Sequence, residues 1–180
     1  MRLLMLLVLL FPVLSFGSEE DKRWFKEQQV LAEQGNASAQ FNLGLMYSLG
    51  TGVPKDDKEA VKWYRLAADR GDADAQFSLG VMYEHGRGVP EDDKEAVKWY
   101  RLAAYQGVAK AQYNLGGMYA LGKGVPKDKL LGYMWLNIAG ANGYDVEKLR
   151  ESLMVIMSQD EIAKAQEKTT QYIKDNPDVY

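Results

Sequence analysis

The sequence predicts an all-α protein, an α-solenoid of antiparallel helix pairs, and three observations carry that prediction. A set of residues returns every 36 positions along the 180-residue chain. Within each period the apolar residues stand three and four apart, which places them on one face of a helix. The 17 glycines and 5 prolines fall largely at fixed offsets in the period, so they mark where helices stop and turn rather than a loop-rich chain.

The period is read from its punctuation. Val53-Pro54, Val89-Pro90 and Val125-Pro126 lie 36 apart, as do Trp63, Trp99 and Trp135, and Leu43-Gly44, Leu79-Gly80 and Leu115-Gly116. Units 37–72 and 73–108 are identical at 26 of 36 positions, including Asp56 to Ala68 against Asp92 to Ala104 without a change. That density of identity makes them tandem copies. Unit 109–144 keeps the punctuation and diverges in its second half.

Each unit reads as two helices. The first follows Asn36 or Asp72, side chains able to accept from free backbone N–H groups. It carries Ala39, Leu43, Met46 and Tyr47 on one side, and Tyr83 and Tyr119 repeat the last of these. Gly50, Gly86 and Gly122 end it, where the chain must turn left-handed. Asp56 and Glu59, like Asp92 and Glu95, then stand at capping-box spacing for a second helix. That helix presents Ala60, Trp63, Tyr64, Ala67 and Ala68, with Ala96 and Trp99 as their next copies, and the invariant tryptophans are expected in the core. Gly44, Gly80 and Gly116 sit inside helices, where glycine costs about 1 kcal/mol relative to alanine. Their return in every unit predicts that a partner helix crosses there, with a bulky aromatic ring against bare backbone. The loop glycines, Gly88 among them, are expected to matter only through backbone conformation. One helix pair cannot bury its apolar faces alone, so the units must stack.

The pattern Ala39, Leu43-Gly44, Tyr47, Gly50, Gly52-Val53, Asp57, Ala60, Trp63, Ala67-Ala68, Gly71 resembles the Sel-one-like repeat, a relative of the tetratricopeptide repeat, over 37–144. The resemblance implies a right-handed superhelix of helix pairs that serves as a scaffold for contact with another protein or peptide. By the same resemblance, first-helix positions that differ between units line a concave groove: Ser38, Asp74 and Lys110; Leu45 and Val81; Glu84 and His85; with the aromatics Phe41, Phe77 and Tyr113. Asp74 and Glu84 are then expected to select a ligand's charge, with Phe77 as the anchor.

Both ends of the array are atypical. Segment 18–36 reads as a degenerate second helix, a cap with a polar outer face. In segment 145–180, Leu149, Leu153, Ile156 and Met157 predict one amphipathic helix. Ser158 and Glu161 predict a capping box for another, with Ile162, Ala165, Thr169 and Tyr172 on its inner side. Residues 1–17 are a different kind of text. Arg2 precedes an apolar run from Leu3 to Leu14, and Ser15-Phe16-Gly17 leaves small residues before a cut at Gly17-Ser18, the tripartite form of a secretory leader. The run is shorter than the ~20 residues a bilayer requires, so no membrane span is expected after cleavage. Periplasmic or secreted placement follows.

Composition narrows the function. A net charge of −3, which loss of Arg2 takes to −4, and the want of a basic stripe argue against nucleic-acid binding. With no cysteine, the fold rests on packing alone, and there is neither a thiol nucleophile nor a thiolate metal site. His85 is the one histidine, and Glu84 beside it points about 100° away on a helix, so neither metal binding nor catalysis is expected of it. The Gly-x-Gly-Val-Pro loops follow helices and lack Gly-Lys-Ser/Thr, so they are turns rather than phosphate loops. No cofactor is expected. The alternative class is a β-lactam-hydrolysing or other cell-wall enzyme, since cysteine-rich exported relatives are credited with that activity. This chain lacks their cysteines and has no Ser-x-x-Lys, the motif that sets a base beside a serine nucleophile. The leader makes a direct prediction: mass spectrometry of protein purified from the cell envelope finds Ser18 at the N-terminus, and an intact 1–17 would refute it.

Overall fold

The structure is a computed structural model that describes residues 18–177. The leader assigned to 1–17, including Gly17 of the cleavage site, lies outside the described residues. Among the described residues there are nine helices and no strand. They are α1 (Glu19–Glu33), α2 (Ala37–Leu49), α3 (Asp57–Ala68), α4 (Ala73–Glu84), α5 (Asp93–Tyr105), α6 (Ala109–Leu121), α7 (Lys129–Ala141), α8 (Glu147–Met154) and α9 (Gln159–Asp175). Each helix packs on the next as far as α7, and α9 then returns to lie against α7. None is long and apolar enough to cross a membrane.

Side chains set most of the starts. Asn36 and Asp72 accept from Ala39 N and Ala75 N at 2.9 and 2.8 Å, whereas α6 begins at Val108 without a side-chain cap. Asp56 and Asp92 each accept from two backbone amides. The expected capping boxes do not form there: the Asp56 and Asp92 amides donate instead to the Tyr47 and Tyr83 carbonyls, and Glu59 and Glu95 pair with Lys62 and Lys98 one turn on. Full capping boxes do close α1, through Ser18 and Asp21, and α9, through Ser158 and Glu161. Gly50 and Gly122 end their helices at φ +77° and +75°.

Within each pair the helices cross at the interior glycine. A β-carbon on Gly44 would lie less than 3.0 Å from the ring of Tyr64, and one on Gly80 would meet Tyr100 in the same way. In the third pair Leu136 replaces the tyrosine, and Gly116 and Gly132 face each other's carbonyl oxygens. The ring at the crossing is therefore Tyr64 or Tyr100 and not the neighbouring tryptophan. Trp63 and Trp99 are half-buried and pack against the core from its margin rather than inside it. Trp135 is buried, with Tyr172 of α9 edge-on at 5.3 Å and Tyr105 at 5.6 Å. Leu43, Leu79 and Leu115 are wholly buried, and so are Ala60 and Ala96; Tyr47, Tyr83 and Tyr119 pack at the margin.

Between units, the contacts involve residues that the period marks as loop. A β-carbon on Gly88 would fall within 3.0 Å of the carbonyl of Asp57 at the start of α3, and Gly124 stands in the same relation to Asp93. The expectation that Gly88 acts only through its own backbone is thus wrong, because each loop rests on the preceding unit. Arg87 donates to both carboxylate oxygens of Asp57 (2.9 and 3.3 Å), and Lys123 pairs with Asp93 at 3.4 Å. Buried glutamines form the second tie. Gln40, Gln76 and Gln112 donate to the carbonyls of Ala32, Ala68 and Ala104 at the end of the preceding helix.

At the C-terminus α8 stops at Met154, so the single helix expected through Met157 is shorter. Ile156 is exposed beyond it while Met157 folds back into the core with Leu153, Ile162 and Ala165. Two glycine substitutions test the packing. Gly80→Val should lower stability by roughly 1–3 kcal/mol through overpacking against Tyr100, and Gly88→Ala should also lower the melting temperature, through collision with Asp57. A wild-type melting temperature for either variant would refute the corresponding close approach.

Candidate functional site

The first helices place a cleft of about 470 Å3 on one side of the array. Phe41 of α2, Asp74, Phe77 and Ser78 of α4, Val108 to Lys110 at the start of α6, and Asn142 to Tyr144 beyond α7 line it. Three successive units therefore meet in one hollow. Phe77 and Ser78 also border a smaller hollow of about 150 Å3 with Ser48, Tyr64, Val81, Met82 and Arg87, which continues the surface along α4.

The floor is aromatic. Phe41 lies 5.8 Å from the ring of Tyr64, and Phe77 the same distance from Tyr100, so each phenylalanine packs one side on a core tyrosine. Both remain only half-buried. The rim carries two opposite charges. Asp74 and Lys110 are exposed, and neither forms an ion pair among the described residues. An apolar floor between an unpaired carboxylate and an unpaired ammonium suits a ligand with an apolar side chain and both signs of charge along its length.

Of the residues expected in the groove, Phe41, Asp74, Phe77, Val81 and Lys110 are brought to these two hollows. Tyr113 stands behind the wall, with its ring 5.0 Å from that of Tyr144. Ser38 and Leu45 of α2, and His85 just beyond the end of α4, are exposed and line neither hollow. No cluster of three or more His, Asp or Glu side chains that could hold a metal occurs among the described residues.

Glu84 has a different duty from the one its variability suggests. Its carboxylate accepts a 2.6 Å hydrogen bond from the Tyr100 hydroxyl and lies 3.7 Å from Lys123 of the next unit. Burial first, and then the bond to Glu84, raise the Tyr100 pKa well beyond the ordinary tyrosine range, so the phenol stays a donor. In the first unit Ser48 and Tyr64 share the equivalent hydrogen bond at 3.2 Å; in the third, Ala120 faces Leu136. This position varies with the chemistry of the ring it meets. Glu84 is thus a structural partner rather than a selector of ligand charge.

Tyr144, Asn142 and Arg87 are lining residues that the repeat pattern does not single out. Asn142 stands at the position of Arg70 and Gln106, and that variability could have marked it. Its amide donates to Gln112 Oε1 (3.0 Å) and to the Gly107 carbonyl (3.3 Å), as Gln106 donates to Gln76 and Gly71 one unit earlier. One wall of the cleft is therefore built from the unit-to-unit tie itself.

Comparison with known proteins places this geometry. The model of the Sel1 repeat matches residues 37–72, 73–108 and 109–144. Among solved structures, c5321 from uropathogenic Escherichia coli, described as a protective antigen displaying an SLR fold, is 41% identical, with a TM-score of 0.66 over 68% of this chain. This chain spans only 26% of that structure. A Sel1 repeat protein from Oxalobacter formigenes is 40% identical with a TM-score of 0.66, covering 72% of this chain and 98% of its own. The Helicobacter pylori cysteine-rich protein B shares the fold at 20% identity and a TM-score of 0.54, over 74% of this chain and 96% of its own. No curated protein matches.

The two acids on α4 make the test of this assignment. Glu84→Lys strands the Tyr100 hydroxyl and sets two cations together, so stability should fall by about 1–3 kcal/mol. Asp74→Lys, on the open rim, should change it by less than about 0.5 kcal/mol. Thermal melts of the two variants check the contrast, and equal melting temperatures would return Glu84 to the free surface.

Proposed function

Starting from the fact that this chain belongs to the Sel1 repeat family, we propose that it is an exported scaffold that holds a segment of another protein in the concave groove of its first helices. Sel1 repeat arrays generally mediate protein–protein interaction, and the partner here is a protein or peptide, drawn from the cell envelope. The observation that carries the reading is the cleft shared by three units, in which Phe41 and Phe77 form an apolar floor between Asp74 and Lys110, neither of them ion-paired among the described residues. These side chains differ from unit to unit or stand only half-buried, so the array's stability asks little of their outer faces. Central positions flanked on both sides are where desolvation is greatest and where binding energy concentrates.

Export rests on the leader-like residues 1–17, and the description of the Escherichia coli relative as a protective antigen supports placing this chain outside the cytoplasm as well. Ser18 suits a new N-terminus. Its backbone nitrogen donates to the Asp21 carboxylate at 2.8 Å, a bond that an α-ammonium would make with added charge.

The experiment is capture from envelope extract with charge-reversed proteins. Asp74→Lys combined with Lys110→Glu should weaken recovery of the partner by about tenfold, which corresponds to about 1.4 kcal/mol. The control is Lys62→Glu combined with Lys98→Glu on the second helices, where recovery should match wild type. Equal recovery by the two variants removes the groove as the site, and loss only in the control moves binding to the outer face.

A further inference from the structure

A second cleft, of about 470 Å3, opens between α7, α8 and α9 at the C-terminal end of the array. It is lined by Tyr133 and Asn137 of α7, Arg150 and Met154 of α8, and Gln166, Thr169 and Thr170 of α9. The interior units show what this face of a second helix normally does. The equivalents of Tyr133 are Val61 and Val97, both buried in the core. The equivalents of Asn137 are Arg65 and Arg101, which donate to the hydroxyls of Tyr83 and Tyr119 in the following unit. Val and Arg on this face thus bind the next repeat.

In the last unit Tyr133 still joins the core, with Leu153, Met157, Ile162 and Ala165 of the capping segment, and what has changed is the polar chemistry. Counting on by 36, the hydroxyl that Asn137 would meet belongs to position 155, which is Val155 and is 85% exposed. A tyrosine enters where valine stood, which adds a hydroxyl to a ring that is otherwise packed in the core. Tyr133 is only 3% exposed, yet it lines the cleft and its hydroxyl makes no hydrogen bond among the described residues. Asn137 and Arg150, both half-buried, likewise have no hydrogen-bond or ion-pair partner there. The polar atoms of all three open on solvent within the hollow, so a ligand's acceptors would take the place of water there.

We infer that this cleft is a binding site for a carboxylate-bearing ligand, with Arg150 as the ion-pairing group and Tyr133 and Asn137 as hydrogen-bond donors. The lining offers a guanidinium, a phenol and two amides, and contains no acidic side chain. The two threonine hydroxyls already donate to the Ala165 and Gln166 carbonyls (2.8 and 3.0 Å). A donor-rich hollow calls for an acceptor-rich ligand. A guanidinium offers a planar fork of N–H groups that matches a carboxylate in two parallel bonds. One positive charge balances a carboxylate monoanion and leaves a phosphate dianion in excess. Tyr133 and Asn137 stand one helical turn apart, so both reach the hollow from the same side. The site is separate from the groove of the first helices and stands or falls independently of it.

The test is a titration of the 15N-labelled full chain, followed by the side-chain signals of Asn137 and Arg150, with N-acetylalanine, neutral N-acetylalaninamide and inorganic phosphate at constant ionic strength. N-acetylalanine should shift both signals saturably while the amide does not. Arg150→Gln should weaken the binding at least about tenfold, the loss expected of a charge-assisted pair. Tyr133→Phe, which removes only the hydroxyl, should weaken it by a smaller factor, with the melting temperature of each variant confirming the fold. Equal binding of acid and amide, or undiminished binding to Arg150→Gln, would overturn the site. Tighter binding of phosphate than of N-acetylalanine would overturn the ligand class.

Discussion

A tyrosine ring lying on the bare backbone of a glycine sets the distance between the two helices of a pair, and the rest of the array depends on that distance. With Gly44 under Tyr64 and Gly80 under Tyr100, the helices approach until a β-carbon has no room. The alanines at 60, 67 and 68, and at 96, 103 and 104, are buried because nothing larger fits between helices so close. Each glycine weakens its own helix by about 1 kcal/mol, a cost offset by the packing that the approach allows. The third pair reaches the same closeness with Leu136 against Gly116 and a second glycine, Gly132, opposite.

Unit-to-unit contact uses different means. The pairs are joined by a loop glycine seated on the start of the preceding second helix, by an ion pair from the same loop, and by a buried glutamine that binds the end of the helix before it. These ties are local, as a solenoid requires, so the ends are where departures are tolerated. At the N-terminus Gln40 Oε1 is buried without a hydrogen-bond partner among the described residues, because Arg70 stands where Gln106 and Asn142 reach the corresponding oxygens. At the C-terminus α9 covers Trp135 and buries Ile138, whose equivalents Leu66 and Leu102 remain 41% and 43% exposed.

What the sequence made legible is what it repeats. The helix pairs, the caps at Asn36, Asp72 and Ser158, the turn glycines and the closeness at Gly80 could all be read, because each has a local physical signature returned at 36-residue spacing. Contacts between units could not. Gly88 and Asp57 are both invariant between the first two units, so no variation links them, and a loop glycine looks the same whether it faces solvent or a neighbour. Variation misled at Glu84, where the difference from Ser48 and Ala120 follows a core ring rather than a ligand. The cleft around Arg150 lay hidden for a further reason. It joins the divergent half of the third unit to helices outside the period, where internal comparison has nothing to compare.

The loop contact has a genetic consequence. Asp57 and the residues that follow it form the seat, Arg87-Gly88 or Lys123-Gly124 forms the foot placed upon it, and every interior unit carries one of each. A 36-residue segment copied in frame brings its own foot for the unit before it and its own seat for the unit after. Such a chain can gain or lose a repeat by recombination between near-identical stretches, such as those that encode Asp56 to Ala68 and Asp92 to Ala104, without opening a mismatched junction.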